Sequence, residues 1–141
     1  MTPYPTQMPG QILLFVYGTL KKGGCRHGPL ESHPFLGPAR TMRHYVLYHL
    51  GAYPGLVPRS EAGQAISGEM YSIPCSLVSV LDHLEGAPHL FRLGPVALEN
   101  HTGEAWAYFY QKSVEGAREI PSGCWDIFPD GDGEILGSNR R

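Results

Sequence analysis

Two places in this 141-residue sequence combine residue types and spacing that could do chemistry: Glu85, and the glycine-rich stretch that follows Tyr17. Glu85 lies one helical turn after Leu81 and two after Leu77, at the edge of an apolar face rather than opposite it. It also ends the segment that carries that face, where the helix macrodipole disfavours negative charge. Partial burial disfavours the anion too, and both effects raise a carboxyl pKa. That is the direction a general acid/base requires. A frayed, solvated glutamate fits the same spacing.

The second place is the run Tyr17-Gly18-Thr19-Leu20-Lys21-Lys22-Gly23-Gly24-Cys25-Arg26-His27-Gly28. Glycine lets backbone approach a ligand closely, and successive turned amides form an anion-binding nest. An ordinary surface loop has the same composition. Neither G-x-x-x-x-G-K-[ST] nor G-x-G-x-x-G is present, so this is no nucleotide-binding loop. The seven histidines come without an H-E-x-x-H, C-x-x-C or paired-carboxylate pattern, and no metal site is expected. No G-x-S-x-G turn supports a serine hydrolase. Tyr17, Tyr53, Phe91 and Tyr110 are candidates to wall an aromatic pocket, although aromatic residues in strands also pack as core.

These residues need elements to position them. Gln11–Tyr17 reads as a buried strand, short, apolar and ended by Gly18. Thr41–Leu50 is strand-like and stops before the turn residues Tyr53-Pro54-Gly55; Ala65–Ile73 reads as another strand. Pro74–Glu85 is the one helix, with Pro74 suited to its first turn and Gly86 to the position past its end. Its apolar face is Leu77, Val80, Leu81 and Leu84. Phe91–Glu99 and Glu104–Tyr110 read as a hairpin in which Trp106, Tyr108 and Tyr110 share a face. Many strands and one helix predict an α+β domain over residues 11–128, a curved mixed sheet or small barrel with the helix packed against it. Residues 1–10 and 129–141 read as tails.

Composition bounds the function classes. Hydrophobic residues make up 42% and charged residues 17%, which suits a globular chain of one domain. A net charge of −2 offers no basic field for nucleic acid, and no segment has the ~18 apolar residues of a membrane span. The first residues carry no secretory signal. Cys25, Cys75 and Cys124, odd in number and far apart, fit a reducing cytoplasm and are expected to be buried, structural thiols.

Taken in order, Phe15-Val16-Tyr17-Gly18-Thr19-Leu20-Lys21-Lys22-Gly23, Tyr53-Pro54-Gly55, Gly68-Glu69-Met70-Tyr71 and Leu81-Asp82-His83-Leu84-Glu85-Gly86-Ala87-Pro88 resemble the gamma-glutamylcyclotransferase-like superfamily, and within it the gamma-glutamylamine cyclotransferase branch. The resemblance spans residues 12–128. It implies that Glu85 is the catalytic acid/base, that Tyr17, Gly18, Thr19, Leu20, Tyr53, Phe91 and Tyr110 bind a small gamma-glutamyl substrate, and that 5-oxoproline is formed without metal or cofactor. Phe91 stands where relatives usually carry tyrosine, and Cys25 and Arg26 match no part of the family pattern. The rival expectation is a non-catalytic, small-molecule-binding member of the same fold.

Overall fold

The computed structural model describes residues 10–126. The predicted tails, apart from Gly10, and the last residues of the predicted domain, Ile127 and Phe128, lie outside them. The described residues form two sheets and one α-helix. Strands β1 (Gln11–Val16), β2 (Phe35–Arg40), β5 (Ser67–Pro74), β6 (Phe91–Pro95) and β7 (Trp106–Tyr110) make a five-stranded sheet in the order β2-β5-β1-β7-β6. Strands β3 (Tyr45–His49), β4 (Pro54–Pro58) and β8 (Arg118–Glu119) make a three-stranded sheet, β4-β3-β8. The larger sheet is mixed: β1 runs parallel to β7 and antiparallel to β5. Of the two predicted shapes the mixed sheet is the one found; the sheets do not close into a barrel.

β1 explains its own sequence. Leu13, Phe15 and Tyr17 pack into one core with Tyr45, Leu47 and Leu56 of the small sheet. Leu14 and Val16 pack into a second core with Tyr71, Leu81, Phe91 and Tyr108, beneath the helix. A strand covered on both faces has no polar alternation, which is why the five residues after Gln11 form a continuous apolar run, ILLFV. β7 divides in the same way, with Ala107 and Phe109 in the first core and Tyr108 in the second.

Several predicted boundaries shift. Pro74 closes β5, Cys75–Leu77 is a 3-10 turn, and the α-helix α1 is Val78–Glu85. The inward face is shifted from the predicted one: Val80 is exposed, and the face consists of Leu77, Val78, Leu81, Leu84 and Glu85. Gly86 ends α1 in the left-handed region at φ 66°, its N–H donating to the carbonyls of Asp82 and His83. Thr41 leaves the predicted strand to bridge Leu98, so β3 begins at Tyr45. Pro54 and Gly55 open β4 rather than forming the reversal, which is closed by Leu50 N–H donating to the Tyr53 carbonyl at 3.0 Å. The hairpin forms, but β6 stops at Pro95.

β2 was absent from the sequence prediction. It is an edge strand with a register shift between Phe35 and Gly37, and its mostly exposed FLGPAR carries no alternating pattern. The cysteines also correct the prediction: Cys25 and Cys75 are exposed, Cys124 is half-buried, and all are free thiols. No helix among the described residues is long and apolar enough to cross a membrane.

Candidate active site

β1 delivers Tyr17 to the seam between the sheets. The Tyr17 hydroxyl donates to the Tyr108 carbonyl at 2.6 Å and accepts the Leu56 N–H at 3.2 Å. Burial pushes this phenol's pKa far above its usual range, so it stays neutral. With its hydroxyl committed to backbone, Tyr17 fixes the floor of a cleft and contributes its ring.

The chain turns immediately after Tyr17. A Cβ on Gly18 would meet Pro54 Cγ at 2.7 Å, so only glycine lets the loop pass this close to β4. Lys21 N–H donates to the Gly18 carbonyl at 3.0 Å, closing a turn over Gly18–Lys21. The amides of Gly18, Thr19 and Leu20 donate to no backbone carbonyl among the described residues. The loop then folds back on itself: Arg26 N–H donates to the Thr19 carbonyl at 2.9 Å, and Gly24 passes so close to the Thr19 backbone that no Cβ would fit.

That return carries Arg26 to the end of α1. Its Nη1 lies 3.2 Å from Glu85 Oε2, and its guanidinium carbon stands 5.9 Å from the centre of the Tyr53 ring. Glu85 is 6% exposed and is the one charged side chain buried among the described residues. Desolvation raises its carboxyl pKa, and the neighbouring guanidinium pulls against that rise without cancelling it. The helix itself is held by Tyr108, whose hydroxyl donates to Asp82 Oδ1 at 2.7 Å.

The resulting cleft is narrow and partly open to solvent. Tyr17, Gly18, Thr19, Leu20, Tyr53, Phe91 and Glu85, predicted from far-separated parts of the sequence, all line it. Tyr110 does not: it stands behind Phe91, ring to ring at 5.4 Å and edge-on, and supports that wall instead of facing the cleft. Arg26 and Tyr108 line the cleft without having been predicted. Asp82 could have been found, since it belongs to the L-D-x-x-E segment and its i, i+26 partner is on the facing strand. No sequence signal marks Arg26, because a loop return fixed by the packing of Gly24 against Thr19 leaves no periodicity.

A family model described as gamma-glutamyl cyclotransferase, AIG2-like, matches residues 14–127. The chain belongs to this family. A family relative from Vibrio cholerae, which carries the gamma-glutamylcyclotransferase name provisionally, is 41% identical over 115 residues, covering 82% of this chain and 96% of its own. The human protein named gamma-glutamylaminecyclotransferase is 33% identical over 87 residues, covering 57% of each chain. The crystal structure of an AIG2-like protein from Mus musculus superposes with a TM-score of 0.71 at 21% identity, over 86% of this chain and 92% of that one, a likeness of fold. The mixed sheet with one main helix among the described residues matches the fold of these neighbours.

Proposed function

We propose that the cleft closes a gamma-glutamyl group on itself, releasing 5-oxoproline and a free amine, with Glu85 as the proton carrier. The observation that supports this most directly is the meeting in one cleft of a buried, pKa-raised carboxylate with a loop whose amides donate to no backbone carbonyl among the described residues. The substrate's α-amine is an ammonium in water and must lose a proton before it attacks. Glu85 takes that proton; the nitrogen lone pair then forms a bond to the γ-carbonyl carbon and drives its electrons onto oxygen. Amides of Gly18, Thr19 and Leu20 donate to that developing oxyanion. As the carbonyl reforms, the bond to the leaving nitrogen breaks and Glu85 returns the proton to it. The second proton of the attacking nitrogen then passes through Glu85 to the released amine, which departs as an ammonium and leaves a neutral lactam.

The reaction is intramolecular, so most of the acceleration comes from holding amine and carbonyl within about 3–3.5 Å of each other. The rings of Tyr53 and Phe91, 5.7 Å apart and edge-on, give the cleft a rigid aromatic wall suited to that task. Phe91 presents no hydroxyl, which favours the apolar stem of the glutamyl group over a polar contact. The substrate class is a gamma-glutamyl amine or a gamma-glutamyl amino acid derivative, and the name of the human relative favours the amine. The test is a screen of gamma-glutamyl amines, isopeptides and amino acids, with 5-oxoproline release followed by mass spectrometry. Release from at least one class by the native chain and not by Glu85→Gln is expected. A chain that binds these compounds and turns over none would be a binding protein and would end this proposal.

A further inference from the structure

Arg26 carries a guanidinium of which one N–H is engaged by Glu85, and no other acceptor meets it among the described residues. The side chain is 31% exposed, faces the cleft, and is stacked within reach of Tyr53 rather than extended into solvent. Lys21 and Lys22 sit on the same loop but are occupied elsewhere, Lys21 Nζ on the Trp125 carbonyl at 2.6 Å and Lys22 Nζ over the Phe35 ring at 4.2 Å. Arg26 is therefore the cation of the cleft among the described residues. A guanidinium has five N–H donors in a planar fork, so it can hold Glu85 with one arm and a second carboxylate with the rest.

We propose that Arg26 binds the substrate's α-carboxylate while keeping its contact with Glu85, and so sets which end of the glutamyl group faces the base. This rests on the cyclotransferase reading. The α-amine and α-carboxylate are attached to one carbon; an amine delivered to Glu85 brings its carboxylate beside the group already 3.2 Å from Glu85 Oε2. The site and the substrate then pair as two opposed dipoles, ammonium to Glu85 and carboxylate to Arg26. Reversed binding would set carboxylate against carboxylate. The loop amides are left to the γ-carbonyl oxygen.

Two ligands separate this role from a structural tether between loop and helix. 5-Oxo-L-proline carries the carboxylate and no ammonium; 2-pyrrolidinone is the same ring without the carboxylate. By calorimetry the native chain should prefer 5-oxo-L-proline, and Arg26→Gln should reduce that preference roughly 10- to 100-fold, the usual range for losing a charge-assisted hydrogen bond. Arg26→Lys, which keeps the charge without the fork, should fall between them, and melting temperatures should confirm that all three chains are folded. A tether would weaken both ligands equally, and an unchanged ratio in a folded Arg26→Gln overturns the proposal.

Turnover provides the second arm. Compared on the plateau of each chain's own pH profile, Arg26→Gln should raise KM by a similar factor for gamma-glutamyl methylamide and for gamma-glutamylglycine. A rise confined to gamma-glutamylglycine would mean that the guanidinium reads a carboxylate on the leaving amine, and the α-carboxylate assignment would be wrong. If the native chain turns over neither compound, the ligand ratio alone decides whether Arg26 is a carboxylate site. The cyclotransferase reading then falls only if the wider screen of gamma-glutamyl amines, isopeptides and amino acids also yields no 5-oxoproline.

Discussion

Arg26 and Glu85 are 59 residues apart in the chain and 3.2 Å apart in the fold. The contact joins a loop that follows the first strand to the last residue of the only α-helix among the described residues. It gives a buried carboxylate a cation strong enough to hold it in place, and not strong enough to bring its pKa back to the ordinary value. The proton carrier we propose for this cleft needs that intermediate state.

Glu85→Gln keeps the side-chain shape and a hydrogen-bond acceptor for Arg26, but it cannot cycle a proton. Turnover should fall by about 10²–10⁴-fold with little change in ligand affinity. Stability at neutral pH should hold or rise, because a carboxyl whose pKa is raised on folding costs stability once it is ionised. Glu69→Gln is the control: Glu69 Oε1 accepts from Lys22 N–H and the Tyr71 hydroxyl, each at 3.0 Å, outside the cleft lining. Near-normal 5-oxoproline formation by Glu85→Gln would remove the catalytic assignment.

The acid side of the pH profile should report Glu85. The groups that face it are the Arg26 guanidinium, which lowers its pKa, and the phenols of Tyr17 and Tyr108, both held neutral by burial. Activity of the native chain should be lost, as pH falls, at a higher pH than for an ordinary glutamate. Removing the guanidinium in Arg26→Gln takes away the lowering influence, so the loss should begin at a still higher pH. A profile that shifts downward would contradict the assigned base.

Tyr17→Phe removes the hydroxyl that serves both Tyr108 and Leu56 while leaving the ring in the cleft. A buried donor or acceptor left unsatisfied costs about 1–3 kcal/mol, so denaturant unfolding should show a loss of that size. Affinity for 5-oxoproline should change much less than stability does.

Gly24→Ala places a methyl against the Thr19 backbone, which cannot yield as a flexible side chain could. The loop must open there, weakening the Arg26–Thr19 hydrogen bond and drawing the guanidinium away from Glu85. Activity and ligand affinity should both fall, and combining the change with Arg26→Gln should add little. Full additivity in a double-mutant cycle would show that Gly24 and Arg26 act separately.

Ring closure asks for orientation and one travelling proton, chemistry that the side chains of the cleft can supply. Turnover should accordingly survive EDTA without added nucleotide; restoration of a lost activity by zinc would reopen the role of the histidines.

What the sequence revealed follows from what patterning can encode. β1 announced itself because burial on both faces leaves an unbroken apolar run, and α1 ended where Gly86 relieves the helix. Glu85 was visible as a carboxylate on the wrong side of an apolar stripe. Val80 was misplaced because it lies at the margin of the apolar stripe, and the buried face extends to the other side of that stripe, toward Val78 and Glu85. β2 escaped because an exposed edge strand needs no alternation, and Arg26 because its partner is set by how a loop returns over itself.

One oxygen atom, the Tyr17 hydroxyl, belongs to both sheets: it is bonded to Leu56 in β4 and to Tyr108 in β7. Neither sheet can come apart at that seam without stranding a polar group of the other in an apolar interior. The two sheets are for this reason one cooperative unit, and the protein should melt in a single transition, with the cleft lasting until the whole domain gives way.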